Sequence, residues 1–443
     1  MINTITEMIQ KTQYKELKIL MNSINVVDIA EMFEEINLEH VLIVFRLLNK
    51  EKAAEVFAYL SREHQQLIIE SISDKEIHNI IDELFIDDTV DFLEEMPASV
   101  VKKVLKNTDE QTRKILNQFL NYKENSAGSI MTIEFVDLKK HMTVSEAIQH
   151  IRRTGVDKET INNCYVIDQN RKLEGIVSIR RLILAPEERF IHEIMETAII
   201  KVTTSDDQEE IADLFKKYDL TMIPVVDKEN CLVGIVTVDD IIDVIEQENT
   251  EDFQIMAAMT PYEDTYLKTN ALIMAKNRIL WLFVLMISAT FTGLVIKRFE
   301  ALLSSMVILT SYIPMLMGTG GNAGSQSSTL IIRSIALGEV EFPDLFKVLF
   351  KEFQVSFIVG LALALANFIR IIIIDHTVYK VAAIVSISLF FTIMMAKIIG
   401  SSLPLLAKKV GIDPAILASP LISTLVDATS LIIYFTLASK FIL

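Results

Sequence analysis

The chain has 443 residues, enough for two or three domains, and carries a net charge of −17. The charge is divided: residues 271–443 hold 13 Lys/Arg and 8 Asp/Glu, whereas residues 1–270 hold 29 and 51. Clustered acid on this scale excludes a nucleic-acid surface, which must be basic, and favours cations as ligands.

Residues 1–125 are expected to form an α-helical, solenoid-like domain. Apolar residues recur at helical spacing, as in Ala30, Phe33, Ile36 and Val56, Phe57, Leu60. Pro97 is the only interruption, and no glycine precedes Gly128. The phrases "DIAEMFEEI", "KAAEVFAYL" and "DTVDFLEEM" echo one another, as stacked helical hairpins do. Such a surface suits contact rather than chemistry.

Residues 126–192 and 193–252 read as two copies of one α+β unit. Met131 aligns with Met195, Asp168 with Asp227 and Gly175 with Gly234. Each copy is expected to run as a short strand, an amphipathic helix, a hairpin and a closing helix. The stretch "MIPVVD…LVGIVTVDD" resembles a tandem cystathionine-β-synthase (CBS) pair. That resemblance implies a regulatory sensor and makes ATP or a related nucleotide a candidate cofactor. Cys164 and Cys231 both fall in this region, and no disulfide framework is expected.

Residues 253–278 read as a connecting, plug-like helix, helical after Pro261. Residues 279–443 then read as a transmembrane domain of five helices, at 279–297, 304–336, 353–374, 380–406 and 415–441. No basic, then apolar, stretch opens the chain, so the N-terminal half is expected in the cytoplasm. The loop charges agree weakly with that orientation in the cell membrane.

The second span carries "PMLMGTGGNAGSQSS", from Pro314 to Ser328. Its glycines disfavour a regular helix, so the span is expected to be broken there. Unwound backbone at membrane depth must line a watery cavity or be buried in protein. Gly320, Gly321, Asn322, Gly324, Ser325 and Gln326 are then candidates to face a hydrated cation. The competing reading is close helix packing through small residues. The last span opens at Asp413-Pro414, an N-cap followed by a first-turn proline. Within it Ser419, Pro420 and Thr424 precede Asp427, and Pro420 is expected to free backbone carbonyls. Asp427 has no basic residue near it in the segment, and an intramembrane carboxylate is functional by default. One carboxylate with carbonyls and water suits Mg²⁺, which sheds its water reluctantly. A protonated or hydrogen-bonded carboxyl is the alternative.

The order of domains, with "PMLMGTGGNAGSQSSTLIIR", "GIDPAILASPLISTLVDATSLIIYF" and "GIVTVDDIIDVIEQENTEDF", resembles the MgtE family of magnesium channels. The resemblance implies a homodimer with a Mg²⁺-selective pore between subunits, closed by cytoplasmic Mg²⁺. It makes Asp427 the pore residue that binds hydrated Mg²⁺. Ser419 stands where some members have asparagine. The resemblance also implies regulatory acids at Asp240, Asp243, Glu248, Glu251 and Asp252, with Asp413 facing them across a shared ion. Glu55, Asp87 and Asp91 would face the CBS pair, together with Glu209 and Asp219. Two other readings stay open: a divalent-cation exchanger coupled to Na⁺ or H⁺, and a membrane-anchored nucleotide-sensing CBS protein. An enzyme is not expected, since neither HExxH nor GxxxxGK[ST] occurs.

Overall fold

The computed structural model describes residues 2–442 apart from 263–265, 268 and 418, and describes no side chain for Ser419 or Ile442. The chain divides into two units, Met1–Ile245 and Glu246–Leu443.

The first unit opens with short helices: α1 (Ile2–Gln10), α2 (Tyr14–Ser23), α3 (Val26–Glu35), α4 (Leu38–Phe45), α5 (Lys50–Ala58), α6 (Arg62–Ser71), α7 (Asp74–Ile81), α8 (Ile86–Glu94), α9 (Ala98–Asn107) and α10 (Glu110–Phe119). Helices of this length are marginal alone, so their stability comes from the faces they bury. Polar caps fix several starts. Asn25 accepts from Val27 N, and Ser73 and Glu76 form a reciprocal capping box. Most of these helices pack on the next but one, as α3 on α5, α5 on α7 and α7 on α9, in the manner of stacked helical hairpins. Phe57 and Phe92 meet edge to face at 5.1 Å inside it. The apolar core continues from these helices into the second repeat, through Ile211, Phe215, Ile223 and Val236.

The repeat gives two sheets with one topology. β1 (Val136–Leu138) lies parallel to β2 (Asn163–Ile167), which pairs antiparallel with β3 (Leu173–Ser178). β4 (Val202–Thr203), β5 (Met222–Val226) and β6 (Leu232–Thr237) repeat that order. The helices are α11 (Val144–Thr154), α12 (Ile179–Leu184), α13 (Ile191–Ile194), α14 (Gln208–Tyr218) and α15 (Val238–Met256). The aligned methionines and glycines make reciprocal contacts between the copies. A Cβ on Gly234 would lie 2.7 Å from Met131 Sδ, and one on Gly175 would lie 2.6 Å from Met195 Sδ. Thr132 exchanges two backbone hydrogen bonds with Ile235, and Glu196 does the same with Ile176. The lead segment of each copy therefore edges the sheet of the other.

The second unit holds α16 (Ala271–Arg298), α17 (Glu300–Ser305), α18 (Ile313–Ala336), α19 (Leu345–Ile373), α20 (Tyr379–Val410) and α21 (Ser419–Ile442). The helix expected after Pro261 starts only at Ala271 and runs straight into the first apolar span; residues 263–265 and 268 lie outside the described residues. Among the described residues, four stretches are long and apolar enough to cross a membrane: Ala271–Arg298, Phe342–Ile373, Tyr379–Val410 and Pro414–Phe441. The second expected span, 304–336, falls on α18, which is long enough but is diluted by Gly, Ser, Thr, Asn and Gln.

The expected break at the glycines does not occur. α18 is continuous from Ile313 to Ala336, and the chain breaks earlier, at a 3-10 turn over Val307–Tyr312. Tertiary packing overrides the poor helix propensity of glycine here. A Cβ on Gly320 would lie 2.7 Å from Thr392 Cγ2, and one on Gly324 would lie 2.9 Å from Ile422 Cγ2. The tightest approach is backbone to backbone, since a Cβ on Gly400 would lie 2.2 Å from the Gly324 carbonyl oxygen. Gly400→Ala is therefore expected to force α18 and α20 apart, at a cost of about 1–3 kcal/mol or more. Gly318→Ala, where nothing lies within 4 Å, should be neutral or mildly stabilising. Thermal melts of the two variants in detergent check this; equal melting points would refute it.

Candidate cation sites

The first site lies within Met1–Ile245. The apolar stripe of α8, with Ile86, Val90 and Leu93 buried, carries Asp87 inward until it is only 8% exposed. Its Oδ1 accepts the Asp88 N–H at 3.0 Å. The first turn of α15 supplies Asp239 and Asp240, and the Thr237 hydroxyl donates to Asp240 Oδ2 at 2.6 Å. Glu159 and Glu134 come from irregular segments joined by a hydrogen bond from Glu159 N to the Glu134 carbonyl, 2.9 Å.

Burial is the first cause of the shifts in this cluster, and mutual repulsion is the second. Asp87 is held well above the usual carboxylate range by burial and then by the charges of Asp240, Asp88 and Glu159. Burial, with the charges of Asp239 and Glu134, pushes Asp88 up to about 6. Asp240 is also pushed to about 6, by burial and the charges of Asp239 and Asp88 against its Thr237 bond. Glu159 reaches about 7, through burial and then the charges of Asp239 and Asp240. Asp91 reaches about 7 from burial and Asp240, but it keeps an open edge to solvent, which screens the repulsion. Each of these neighbouring charges is negative, so the cluster stores repulsion that a proton or a cation relieves.

Among the described residues, no three His, Cys, Asp or Glu side chains converge closely enough to ligate a bare ion. A hydrated Mg²⁺ spans wider gaps, because its first-shell water meets the carboxylates. The donor set therefore fits a water-clad divalent cation better than a directly coordinated one.

The structure brings together only some of the expected acids. Asp87, Asp91 and Asp240 meet. Asp243 joins from the next turn of α15, and its charge reaches the Tyr59 phenol, which burial and then Asp88, Asp239, Asp243 and Glu159 raise. Glu55 stands exposed on α5, one turn before Tyr59. Glu209 opens α14, whereas Asp219 closes it with a left-handed φ of 51°. About 15 Å of helix rise separates the two, so a single chain does not join them in one site. Asp88, Asp239, Glu134 and Glu159 escaped the sequence reading. The first two adjoin expected acids and could have been included; the two glutamates come from loops with no spacing signal.

A second acidic group lies within Glu246–Leu443. Burial pushes Asp252 up to about 6, followed by the charges of Asp413, Glu248 and Glu251, while Arg333 opposes them. Asp413 therefore lies near enough to Asp252 for its charge to act on it. Its Oδ1 also accepts the Ala415 N–H at 2.8 Å, the expected cap, although the turn it caps is a 3-10 turn over Pro414–Leu417.

α21 begins five residues after Pro414, at Ser419, whose side chain lies outside the described residues. Pro420 thus occupies the first turn, where no intrahelical N–H is due, and opens no gap beside Asp427. Its carbonyl accepts the Thr424 hydroxyl at 2.9 Å. The stripe of α21 that carries Asp427 also carries Ser423 four residues earlier. Ser423 Oγ lies 3.3 Å from Ser325 Oγ of α18 and against Gly321. Asp427 is half-buried, and among the described residues no basic side chain pairs with it. On α18, Gly320, Gly321 and Gly324 are buried contacts, while Gly318, Asn322 and Gln326, four residues apart, form an exposed polar stripe.

Residues 313–437 match a family model described as MgtE, divalent cation transporter. Residues 24–125 match the MgtE intracellular N domain, and 127–188 and 191–247 match the CBS domain. The magnesium transporter MgtE of Thermus thermophilus is 38% identical over 330 residues, 74% of this chain and 73% of that one. This chain belongs to the MgtE family. The MgtE of Bacillus subtilis is 35% identical over 356 residues, 80% of this chain and 78% of that one. Among solved structures, the cytosolic domain of the Mg²⁺ channel MgtE in complex with ATP aligns with a TM-score of 0.53 and 37% identity, covering 55% of this chain and 100% of that one. The soluble part of a magnesium transporter aligns with the same TM-score, 0.53, at 28% identity, covering 56% and 97%. As in other MgtE proteins, then, an intracellular N domain and a CBS pair precede a multi-pass membrane region, and the stretch matched to the transporter model contains Asp427.

Proposed function

We propose that this chain carries Mg²⁺ into the cytoplasm down its own gradient, through a pore that its acidic cytoplasmic regions close when Mg²⁺ occupies them. The observation that carries this reading is Asp427, a half-buried carboxylate with no basic partner among the described residues, on a membrane helix of the transporter segment. An unpaired carboxylate at that depth is stabilised by water and a passing cation. α18 serves as the fifth span, its exposed Asn322 and Gln326 facing water rather than lipid. A second copy completes the path, because the exposed polar stripe of α18 cannot face hydrocarbon.

The switch follows from the acidic clusters. Unoccupied, Asp87, Asp88, Asp91, Glu159 and Asp240 repel one another; Mg²⁺ cancels the repulsion and draws α8 onto α15. Asp413 and Asp252, with Glu248 and Glu251, form a second such site at the cytoplasmic end of α21. Several ions acting on one equilibrium give steep closure. Nucleotide binding is supported by the ATP-bound relative and by an open cleft of about 1030 Å³ lined by Ser178, Arg180, Arg181 and Arg189 of the first CBS copy and by Glu193, Glu196 and Thr197 of the second. Guanidinium groups suit a polyphosphate, although Arg181 and Arg189 already pair with Glu196 and Glu193 at 2.8 and 2.9 Å.

Flux in proteoliposomes tests the main reading. Wild type should pass Mg²⁺ down its gradient with no Na⁺ or H⁺ gradient present, and should respond to voltage. Flux that appears only with a counter-gradient would establish the exchanger instead.

A further inference from the structure

Asp427 is not the only ionised group inside the membrane helices. Lys397, nineteenth of the 32 residues of α20, is 5% exposed. Its Nζ lies 3.7 Å from Glu352 Oε2 on α19. It also donates to Ser327 Oγ on α18 at 3.1 Å, and the Ser327 hydroxyl donates to Glu352 Oε2 at 2.7 Å. Three helices are thus tied by one charge pair and a bridging hydroxyl. Buried pairs of this kind add little stability over an apolar filling, and their best-attested use is to fix a register.

The triad lies where a register needs fixing. Ser327 is one turn from Gly324, and Lys397 is one turn from Gly400, the two glycines whose backbones nearly touch. Glycine surfaces allow close approach but carry no directional bond to resist rotation. α18 bears the exposed stripe of Asn322 and Gln326 on its other side and meets α21 through Gly321 and Ser423. Rotation of α18 about the glycine contact would move that stripe relative to Asp427.

We propose that Lys397, Glu352 and Ser327 form a polar clamp that sets the rotation of α18, and so act as positioning residues for the ion path. Glu352 is not offered to the ion, since its Oε2 accepts from Ser327 and faces the Lys397 ammonium. The proposal rests on the reading of α18 and Asp427 as path-lining elements.

The test is Mg²⁺ flux in proteoliposomes made with folded, monodisperse full-length protein. Lys397→Met and Glu352→Gln each leave one buried group uncompensated; the double variant removes both, should be recovered folded and, having lost the clamp, should show the same displaced ion response as loss of the bridge. Ser327→Ala keeps both charges and deletes the bridge, and should raise the half-saturating Mg²⁺ concentration about tenfold and weaken discrimination against K⁺. A merely structural defect would lower the number of active molecules and leave both readouts unchanged. Should the single charge variants not be recovered folded, Ser327→Ala decides the matter. Wild-type half-saturation and selectivity in that variant overturn the clamp. Absence of flux in wild type itself would instead overturn the pore reading.

Discussion

Asp427→Asn should nearly abolish Mg²⁺ uptake while leaving the folded protein intact. The substitution keeps the shape of the side chain and removes its charge. A divalent ion about 5 Å from a carboxylate, with water between, gains roughly 3 kcal/mol even at an effective dielectric near 40. Loss of that attraction should raise the half-saturating Mg²⁺ concentration about 100-fold. In a cell that lacks its own Mg²⁺ transporters and depends on this chain, neither Asp427→Asn nor Asp427→Ala should restore growth at low Mg²⁺. Asp427→Glu keeps the charge on a longer arm and should restore growth in part. Full rescue by the alanine variant would remove Asp427 from the ion path. Because the residue is half-buried and makes no ion pair among the described residues, its loss leaves no buried charge behind, and a folding defect is not expected.

The second large effect is a pH dependence that Mg²⁺ erases. In the folded chain Asp88 and Asp240 titrate near 6 and Glu159 near 7. In the unfolded chain the same groups titrate near 4. Between about pH 4 and 7 the native state therefore binds more protons than the unfolded state. Stability falls as pH rises through that window, since its slope follows the unfolded-minus-native proton count. Without divalent cations, the full-length protein in detergent should melt about 5 °C lower at pH 7.5 than at pH 5.5. Millimolar Mg²⁺ should raise the pH 7.5 value and leave the pH 5.5 value nearly unchanged, because protons already occupy the site. Asp87→Asn combined with Asp240→Asn removes the most buried repulsion. That variant should melt higher than wild type without Mg²⁺ and respond less to it. Equal melting points at the two pH values, or the same limited-proteolysis pattern with and without Mg²⁺, would count against the cluster as a cation switch.

Much of this was legible along the chain, and the failures have identifiable causes. The helical repeat of the first 125 residues and the duplicated α+β unit follow from periodicity and internal alignment. Both are local signals, and both reappear in the packing of α3, α5, α7 and α9 and in the matched sheets. The glycines of α18 misled because their propensity was weighed without their neighbours. Thr392, Ile422, Ser430 and the backbone at Gly400 require small residues there, and they hold the segment helical. Pro420 misled in a similar way: its effect depends on its position in the helix, and α21 starts at Ser419.

The sequence by itself determined the division into an acidic half and an apolar half, the order of the domains and the solitary acid of the last span. Those are properties of composition, period and spacing, which a linear reading contains. Only the tertiary structure decided which acids share a site. Asp87 and Asp240 are separated by more than a hundred residues, yet the charge of Asp240 lifts the titration of Asp87, whereas Glu209 and Asp219, close in sequence, sit at opposite ends of one helix. Only the structure joined Glu352 and Ser327 to Lys397. Electrostatic coupling and close packing fall off with distance in space, and that distance is fixed when the hydrophobic faces of many separate helices are buried together.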